Sequence, residues 1–136
     1  MTATSPAVPR AYDASTATAE EAAVRVPIEQ YFQGHAKDDA SCMRQAFLPT
    51  AHIESMREGP FTSWTREVYC ERFKGTPAPD EATRVRRIDW IDVHGTAACA
   101  KITLIHGPVT FTDYFVLLKT EDGWKIANKA FHGQPT

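Results

Sequence analysis

Apolar side chains occur in four runs from residue 83 onward, and short turn sequences separate these runs. Each turn contains a glycine, and the three turns are His94-Gly95, Gly107-Pro108 and Glu121-Asp122-Gly123. Such turns between runs rich in β-branched and aromatic residues are typical of β-hairpins. We therefore predict four long strands, at about 83–94, 96–106, 109–120 and 123–132, that form an antiparallel meander.

The part of the chain before residue 50 has helical periodicity instead. Thr18 and Glu21 have the spacing of a capping box that begins a helix. The positions that then recur on one helix face are Val24, Ile28, Tyr31 and His35. Pro27 interrupts this stripe, so either the helix bends there or Pro27 is its first residue.

Shorter elements are predicted between this helix and the meander. Asp38 or Asp39 caps a second helix, which ends before Pro49. A strand with loose alternation follows at 52–56, and Ser63 then caps a third helix. The apolar positions expected on the buried face of that third helix are Trp64, Val68 and Phe73.

Helices followed by strands indicate an α+β fold. The predicted sheet carries large residues on both faces, for example Ile88, Trp90 and Ile91, so both faces need a cover. The helices can cover one face, and a second copy of the chain is the simplest cover for the other. We therefore expect a homodimer that forms through the sheet.

Composition limits the chain to one domain. Of its 136 residues, 43% are hydrophobic and 24% are charged, which is enough for a single core. Residues 1–18 hold few large apolar side chains and are expected to be a mobile tail, with residues 19–136 as the domain. Three widely spaced cysteines, no apolar run of about 18 residues and no secretory signal pattern predict a cytoplasmic protein without a membrane span.

Charge and motifs exclude several function classes. The net charge is −2 and the basic residues are mixed with acids, so no nucleic-acid-binding surface is expected. The basic cluster of Arg84, Arg86 and Arg87 is interpreted as a solvated edge or dimer rim, with contact to an anionic ligand as the alternative. Glycine-rich phosphate loops and metal-ligand spacings are missing from the sequence, so we expect no cofactor and no metal.

Asp113 is the most unusual residue of the chain, because it lies within the apolar segment 109–118. A buried carboxylate must be paired, protonated or directed into a cavity, since an isolated buried charge is very unfavourable. If Lys101 faces solvent, the alternation of side chains along the strand turns His106 toward the protein interior. On the first helix, His35 lies on the same face as Tyr31. These imidazoles are candidates for proton transfer, although for each one alone a surface position or a satisfied cap is the simpler explanation.

Several aromatic side chains could form the walls of a ligand pocket. They are Trp64, Tyr69, Phe73 and Trp90. A flat hydrophobic or aromatic ligand would fit between such side chains. Aromatic residues at helical spacing also occur in ordinary cores, so both interpretations stay open.

The sequence resembles the nuclear transport factor 2-like superfamily, and within it the lumazine-binding-like group. The residues that carry the resemblance are Tyr31-Phe32-x-Gly34, Asp38-Asp39, Ala46-Phe47, Asp113-Tyr114-Phe115-x-Leu117-Leu118-Lys119, Gly123-Trp124-Lys125-Ile126 and Lys129. The resemblance implies a cystatin-like cone, in which a curved, mostly antiparallel sheet wraps around N-terminal helices and leaves a pocket at its open end. The superfamily includes ketosteroid isomerases, polyketide cyclases, dehydratases and non-catalytic domains, so the fold alone does not assign a function.

Comparison with ketosteroid isomerases assigns roles to individual residues. Tyr31 falls on the oxyanion-hole tyrosine of that family and Asp113 on its protonated aspartic acid, with Phe111 and Phe115 beside them as pocket residues. The general base of the family falls near Ser55, which cannot act as a base and is placed among the pocket residues instead. Glu54 is adjacent, but a shift of one residue turns its side chain to the opposite face of the strand.

The sequence therefore predicts a small-molecule-binding cone protein. As an enzyme it would be a cofactor-independent isomerase, dehydratase or cyclase that acts on a hydrophobic carbonyl compound, with Tyr31 and Asp113 as donors and His35 or His106 as the base. The alternative is a non-catalytic ligand-binding or dimerising accessory domain.

Overall fold

The computed structural model describes residues 9–136, and its first helix begins where the capping signal predicts. Helix α1 (Ala19–Lys37) has Thr18 as its N-cap, and the Thr18 side chain accepts a hydrogen bond from the backbone N–H of Glu21. The Glu21 carboxylate accepts one from the backbone N–H of Thr18 in return. Pro27 lies inside this helix and is buried, so the helix does not begin there.

The two aspartates after α1 have different roles. Asp38 ends α1 in the left-handed conformation, with φ of 53°. Asp39 caps helix α2 (Ala40–Ala46), because its carboxylate accepts hydrogen bonds from the backbone N–H groups of Ser41 and Cys42. The predicted second helix is confirmed, with Asp39 as its cap.

The third helix differs from the prediction. Strand β1 (His52–Ser55) pairs antiparallel with β2 (Thr62–Thr65), so Ser63 and Trp64 belong to a hairpin and not to a helix. Helix α3 (Arg66–Cys70) starts at Thr65, whose side chain accepts a hydrogen bond from the backbone N–H of Val68. Tyr69 is buried in this helix while Val68 is exposed, so the predicted cap at Ser63 and the buried position of Val68 are both wrong.

The predicted meander is confirmed. It consists of β3 (Val85–His94), β4 (Ala97–His106), β5 (Val109–Thr120) and β6 (Gly123–Pro135), all antiparallel to their neighbours. The six-stranded sheet has the order β2-β1-β6-β5-β4-β3, and β1 joins β6 in parallel. Register shifts occur in β3 and between β5 and β6, and such bulges bend strands and strengthen the twist of a sheet.

The core lies between α1 and the concave face of the sheet. Period two along β4 and β5 turns Ile102, Leu104, Phe115 and Leu117 toward the helices, and these side chains are buried. The alternate β5 residues Tyr114, Val116 and Leu118 are 50%, 52% and 43% exposed on the opposite face. One face of the sheet is therefore covered by this chain and the other is not.

Part of the expected mobile tail, residues 1–8, lies outside the described residues. From residue 9 onward the segment contacts the domain, because the backbone N–H of Tyr12 donates a hydrogen bond to the carbonyl of Asp89 at 2.8 Å. Arg10 forms an ion pair of 2.7 Å with Glu21. Among the helices of residues 9–136, none is long and apolar enough to cross a membrane.

Candidate functional site

Four polar side chains form a cluster inside the cone. The hydroxyl of Tyr31 donates a hydrogen bond to Oδ2 of Asp113. Lys129 Nζ donates to the hydroxyl of Tyr31 at 2.8 Å and to that of Tyr69 at 3.3 Å, and it lies 3.6 Å from Asp113 Oδ2. All four side chains are buried, so the cluster places an ammonium group, a carboxyl group and two phenols in the interior.

Four separate elements bring these side chains together. Tyr31 extends from α1 and Tyr69 from α3, while Asp113 lies on β5 opposite Ile102 of β4. Lys129 lies on β6 opposite Phe115. Because these residues are far apart in sequence, only the folded sheet and its helices bring them within hydrogen-bonding distance.

A bulge determines the direction of Lys129. Trp124 and Ile126 are buried on β6, so strict period two would turn residue 128 inward as well. Leu117 of β5 pairs with Ile126 of β6, but the neighbouring Val116 pairs with Asn128. One extra residue therefore lies on β6 between these two pairs. This extra residue reverses the alternation, and Lys129 points into the cone as a result.

Burial dominates the electrostatics of the cluster. Desolvation raises the pKa of Asp113 above its ordinary value, while the nearby Lys129 and the hydrogen bond from Tyr31 act in the opposite direction. Desolvation and the Asp113 carboxylate raise the pKa of Tyr31 well above that of a free phenol. Oδ1 of Asp113 is buried and has no hydrogen-bond partner among residues 9–136, so one oxygen of this carboxyl group keeps its capacity to accept a hydrogen bond.

The cluster opens into a cavity of about 410 Å³. Its aromatic walls are Trp64, Tyr69, Phe73, Phe111 and Phe131. The imidazoles of His35 and His106 also line it, together with Asp113 and Lys129. A cavity of this size with apolar walls and a few convergent polar groups has the character of a small-molecule site.

The two histidines are adjacent and neutral. Their ring centroids are 5.0 Å apart. Burial lowers the pKa of His35 well below its ordinary value, and burial with the nearby Arg86 and Arg84 lowers the pKa of His106 to about 4. In the described part of the chain, neither Nε2 atom has a hydrogen-bond partner.

A contact with Arg84 assigns the tautomer of His106. The guanidinium Nη1 of Arg84 lies 3.3 Å from Nδ1 of His106. A guanidinium can only donate, so Nδ1 must accept and the single proton of the neutral ring lies on Nε2. His106 therefore presents an N–H donor to the cavity.

Three of the predicted pocket residues lie away from the cavity lining. Phe115 is a core residue whose ring packs against that of Tyr31, with centroids 5.0 Å apart. Trp90 pairs with Lys101, which in turn pairs with the exposed Tyr114, so this tryptophan belongs to the outer face of the sheet. Ser55 lines a smaller neighbouring cavity of about 240 Å³.

Sequence reasoning gave no role to several residues of this site. Lys129 belongs to the residues that carry the family resemblance. Its inward direction could not be predicted, because the bulge that causes it has no sequence signature. Arg57 and Arg72 also line the cavity, and nothing in their sequence context indicated this. Arg84 belongs to the basic cluster identified in the sequence, and it lines the cavity, as the alternative interpretation of that cluster, contact with an anionic ligand, requires.

Comparison with known families supports the architecture just described. Residues 19–132 match the family described as "Putative lumazine-binding". The chain belongs to this family. Among curated proteins, the search found no match.

Solved structures place this lumazine-binding family member among NTF2-like proteins. An NTF2-like protein of unknown function from Shewanella baltica is 30% identical, with 86% of this chain and 95% of that chain covered and a TM-score of 0.76. A second NTF2-like protein, from Methylobacillus flagellatus, is 24% identical over 88% of this chain and 96% of that one, with a TM-score of 0.74. The recognition of the superfamily and the cone fold predicted from the sequence are both confirmed.

A likeness to a ketosteroid isomerase-like protein extends to the fold alone. That protein, from Erwinia carotovora atroseptica, is 11% identical, with 85% of this chain and 96% of that chain covered and a TM-score of 0.65. On β1 of this lumazine-binding family member, Glu54 accepts hydrogen bonds from Asn128 and Ser63, at 3.1 and 2.9 Å. Neither Glu54 nor Ser55 lines the cavity, so β1 provides no carboxylate to it.

Proposed function

We propose that the protein binds a small carbonyl compound in the cavity and moves a proton at the carbon next to the carbonyl group, without a cofactor. The observation that carries this proposal is the position of the free oxygen of Asp113. Asp113, whose Oδ1 has no hydrogen-bond partner among residues 9–136, lines the same cavity as Lys129, Tyr69 and His106. A base and several donors around one space are the requirements for enolisation.

The donors are suited to stabilise an enolate oxygen. Lys129 lines the cavity and carries the positive charge that would stabilise an enolate oxygen, while its ammonium group also contacts Tyr31, Tyr69 and Asp113. The Tyr69 hydroxyl accepts a hydrogen bond from Lys129 at 3.3 Å, and Tyr69 lines the same cavity. Together with the Nε2–H of His106, these groups provide preorganised donors in a site of low dielectric.

Asp113 is the best candidate for the base. Burial raises the pKa of Asp113 toward neutral pH, and a carboxylate with a higher pKa is a stronger base. With a β,γ-unsaturated ketone, Oδ1 would take the proton from the carbon next to the carbonyl and return it to the γ carbon of the resulting dienolate, which moves the double bond into conjugation with the carbonyl group. The same enolate is the intermediate of dehydration and of aldol-type cyclisation.

These roles differ from the roles that the sequence predicts. There, Tyr31 and a protonated Asp113 donate together to the ligand oxygen, and a histidine is the base. Here the Tyr31 hydroxyl donates to Asp113 instead, and Lys129 favours the charged form of this carboxyl group. His106 offers a proton and not a lone pair, so the proposal makes His106 a donor.

Non-catalytic ligand binding is the second candidate, and one observation favours it. Asp113 is the single carboxyl group among the described residues that line the cavity, and Tyr31 and Lys129 already occupy its other oxygen. A protein that only binds its ligand needs no further base.

Isotope exchange distinguishes the two candidates. A panel of aromatic methyl ketones in D₂O is followed by proton NMR for binding and for loss of the protons next to the carbonyl. We expect wild type to accelerate exchange and Asp113→Asn to abolish it, while Asp92→Asn, an exposed control, leaves it unchanged. Binding without exchange would favour the non-catalytic protein, and the absence of binding across the panel would refute both candidates.

The exposed side of the sheet supports a second proposal, a homodimer. Tyr114, Val116 and Leu118 form a row of exposed apolar side chains on the long strand β5. A second copy placed against this row would remove the apolar surface from water. Sedimentation should then show a dimer for wild type and a monomer for Val116→Lys, and a monomeric wild type would refute it.

A further inference from the structure

Two arginines of this chain differ from all the others in their partners. The chain has nine arginines, and seven of them form ion pairs with carboxylates of the chain: Arg10, Arg25, Arg44, Arg66, Arg84, Arg86 and Arg87. Arg57 and Arg72 have no carboxylate within 4 Å among residues 9–136, and both line the cavity. The two unpaired guanidinium groups are therefore concentrated at the candidate site.

Aromatic faces hold both guanidinium groups in place. Arg72 Cζ lies 4.4 Å from the ring centroid of Trp64, and Arg57 Cζ lies 5.0 Å from that of Phe111. Stacking of this kind uses the face of the guanidinium and leaves its N–H groups at the edge free to donate. Both side chains are thus positioned without using their hydrogen bonds.

Gly133 makes room for one of these side chains. A Cβ atom at this position would lie 2.7 Å from Arg57 Nε and 3.0 Å from its Cδ, which is too close. The backbone of β6 therefore approaches Arg57 closely, and a side chain at residue 133 would displace the outer part of this exposed arginine.

The charges around the cavity are also unbalanced. The basic side chains that line it are Arg57, Arg72, Arg84 and Lys129, whereas Asp113 is the single carboxyl group of the described lining. Arg84 is already paired with Asp80, at 2.9 Å, and Lys129 with Asp113. The positive charge without a partner is that of Arg57 and Arg72, which are exposed at the mouth while Lys129 is buried at the floor.

We propose that the ligand of this cavity carries an oxyanion group, a carboxylate or a phosphate, which Arg57 and Arg72 bind at the mouth. This inference rests on the proposed function, in which the carbonyl group of the same ligand meets Lys129 at the floor. Guanidinium groups recognise carboxylate and phosphate through paired N–H donors, and stacked arginines lose little freedom when they do so. The substrate class is then an aromatic or similarly flat keto acid or keto phosphate, and a neutral ketone would bind more weakly.

Matched acids and amides test this inference. The probes are 4-acetylbenzoate and the two-ring 6-acetyl-2-naphthoate, each compared with its uncharged primary amide, and 4-acetylphenyl phosphate serves as the phosphate arm. Calorimetry or NMR titration gives the Kd of each probe. Charge-assisted hydrogen bonds correspond to a preference of about 10- to 100-fold for the anion over its amide.

Variants locate the effect. Arg57→Gln with Arg72→Gln should remove the preference for the anions while leaving the affinity for the amides unchanged. Arg87→Gln is the matched control for each of the two single variants, because this exposed arginine lies outside the cavity lining and its replacement removes the same single charge. Circular dichroism and thermal unfolding establish that each variant is folded before its Kd is interpreted.

Each outcome has a definite meaning. Acids that bind no better than amides, or a preference that survives in the double variant, would overturn the oxyanion inference and leave the carbonyl-binding function standing. An equal loss in Arg87→Gln would also overturn it, since overall charge would then explain the effect. If neither acids nor amides bind, the proposed function fails and this inference fails with it. The relative affinity for the phosphate and the carboxylates identifies which oxyanion the site prefers.

Discussion

Replacing Lys129 by methionine tests the central electrostatic argument. The substitution keeps the approximate length of the side chain but removes the ammonium group from the buried cluster. Asp113 would then lose the cation that lies 3.6 Å from its Oδ2, and Tyr31 would lose the donor at 2.8 Å. The side chains of Lys129 and Asp113 are only 5% and 1% exposed, so the carboxylate would be left in a poorly solvated position.

The structure gives the approximate size of the effect. At the distance of 3.6 Å, the Coulomb attraction is about 5 kcal/mol for an effective dielectric constant of about 20. Removal of the ammonium group also ends its own desolvation cost, which offsets part of this loss. Breaking one side of a buried ion pair typically costs about 3–5 kcal/mol, and we expect Lys129→Met to lower the free energy of unfolding by this amount at neutral pH.

The loss should depend on pH in a defined direction. Burial already raises the pKa of Asp113 from its ordinary value of 3.8, and removal of Lys129 raises it further. A carboxyl group with a higher pKa in the folded state stabilises the fold below its unfolded pKa. This contribution disappears as the pH rises through the folded value. The variant should therefore approach wild-type stability near pH 4 and fall behind it as the pH increases.

Urea unfolding followed by tryptophan fluorescence at several pH values measures this difference. The double variant Lys129→Met with Asp113→Asn is the control, because it removes the carboxylate that the single variant leaves unpaired. We expect the double variant to be more stable than Lys129→Met at pH 7 and to lack its extra pH dependence. A single variant with the pH dependence of wild type, or a double variant that is no more stable, would refute the assignment of Lys129 and Asp113 as a charged pair.

Three further predictions concern other parts of the fold and site. Tyr31→Phe removes the hydroxyl that donates to Asp113, so the free energy of unfolding in urea should fall by about 1–3 kcal/mol; an unchanged value would contradict the buried hydrogen bond. The imidazole of His106 should titrate near pH 4 in NMR spectra, and its low pKa should reduce stability as the pH falls from about 6.5; an ordinary midpoint would contradict the burial and the Arg84 contact. A Cβ at Gly34 would lie 2.7–2.9 Å from the Met43 side chain, so Gly34→Ala should destabilise by about 1–3 kcal/mol, and Met43→Ala in the same chain should relieve much of that loss.

Signals that act over a few residues predicted the fold well. The cap at Thr18 and Glu21 forms within one helical turn, and the meander follows from hairpin turns between apolar runs. The prediction at Ser63 was wrong because the competing structure is a hairpin with β1, and its register cannot be inferred from the local sequence. Thr65, two residues later, has the same capping chemistry and is the residue that the tertiary structure uses.

The site was less predictable than the fold, because it depends on register. Tyr31, Asp113 and His106 have side-chain directions that follow from regular periodicity, and they lie on one cavity. Lys129 follows a bulge, and one extra residue on β6 decides whether its ammonium group points to solvent or to Asp113. Arg57 and Arg72 extend from the loop after β1 and the turn after α3, where no periodicity predicts a direction.

Lys129 changes the chemistry that the resemblance to ketosteroid isomerases implies. A neutral aspartic acid needs no cation, whereas a buried ammonium group is unfavourable unless an anion or several acceptors surround it. Lys129 has two phenol acceptors and one carboxyl group within 4 Å, so the charged forms of Lys129 and Asp113 stabilise each other. A developing enolate beside Lys129 would compete with Asp113 for the same cation, and this competition raises the affinity of Asp113 for the proton that it removes. The cluster therefore couples the charge on the ligand oxygen to the basicity of the carboxylate, which is the property that proton transfer next to a carbonyl group requires.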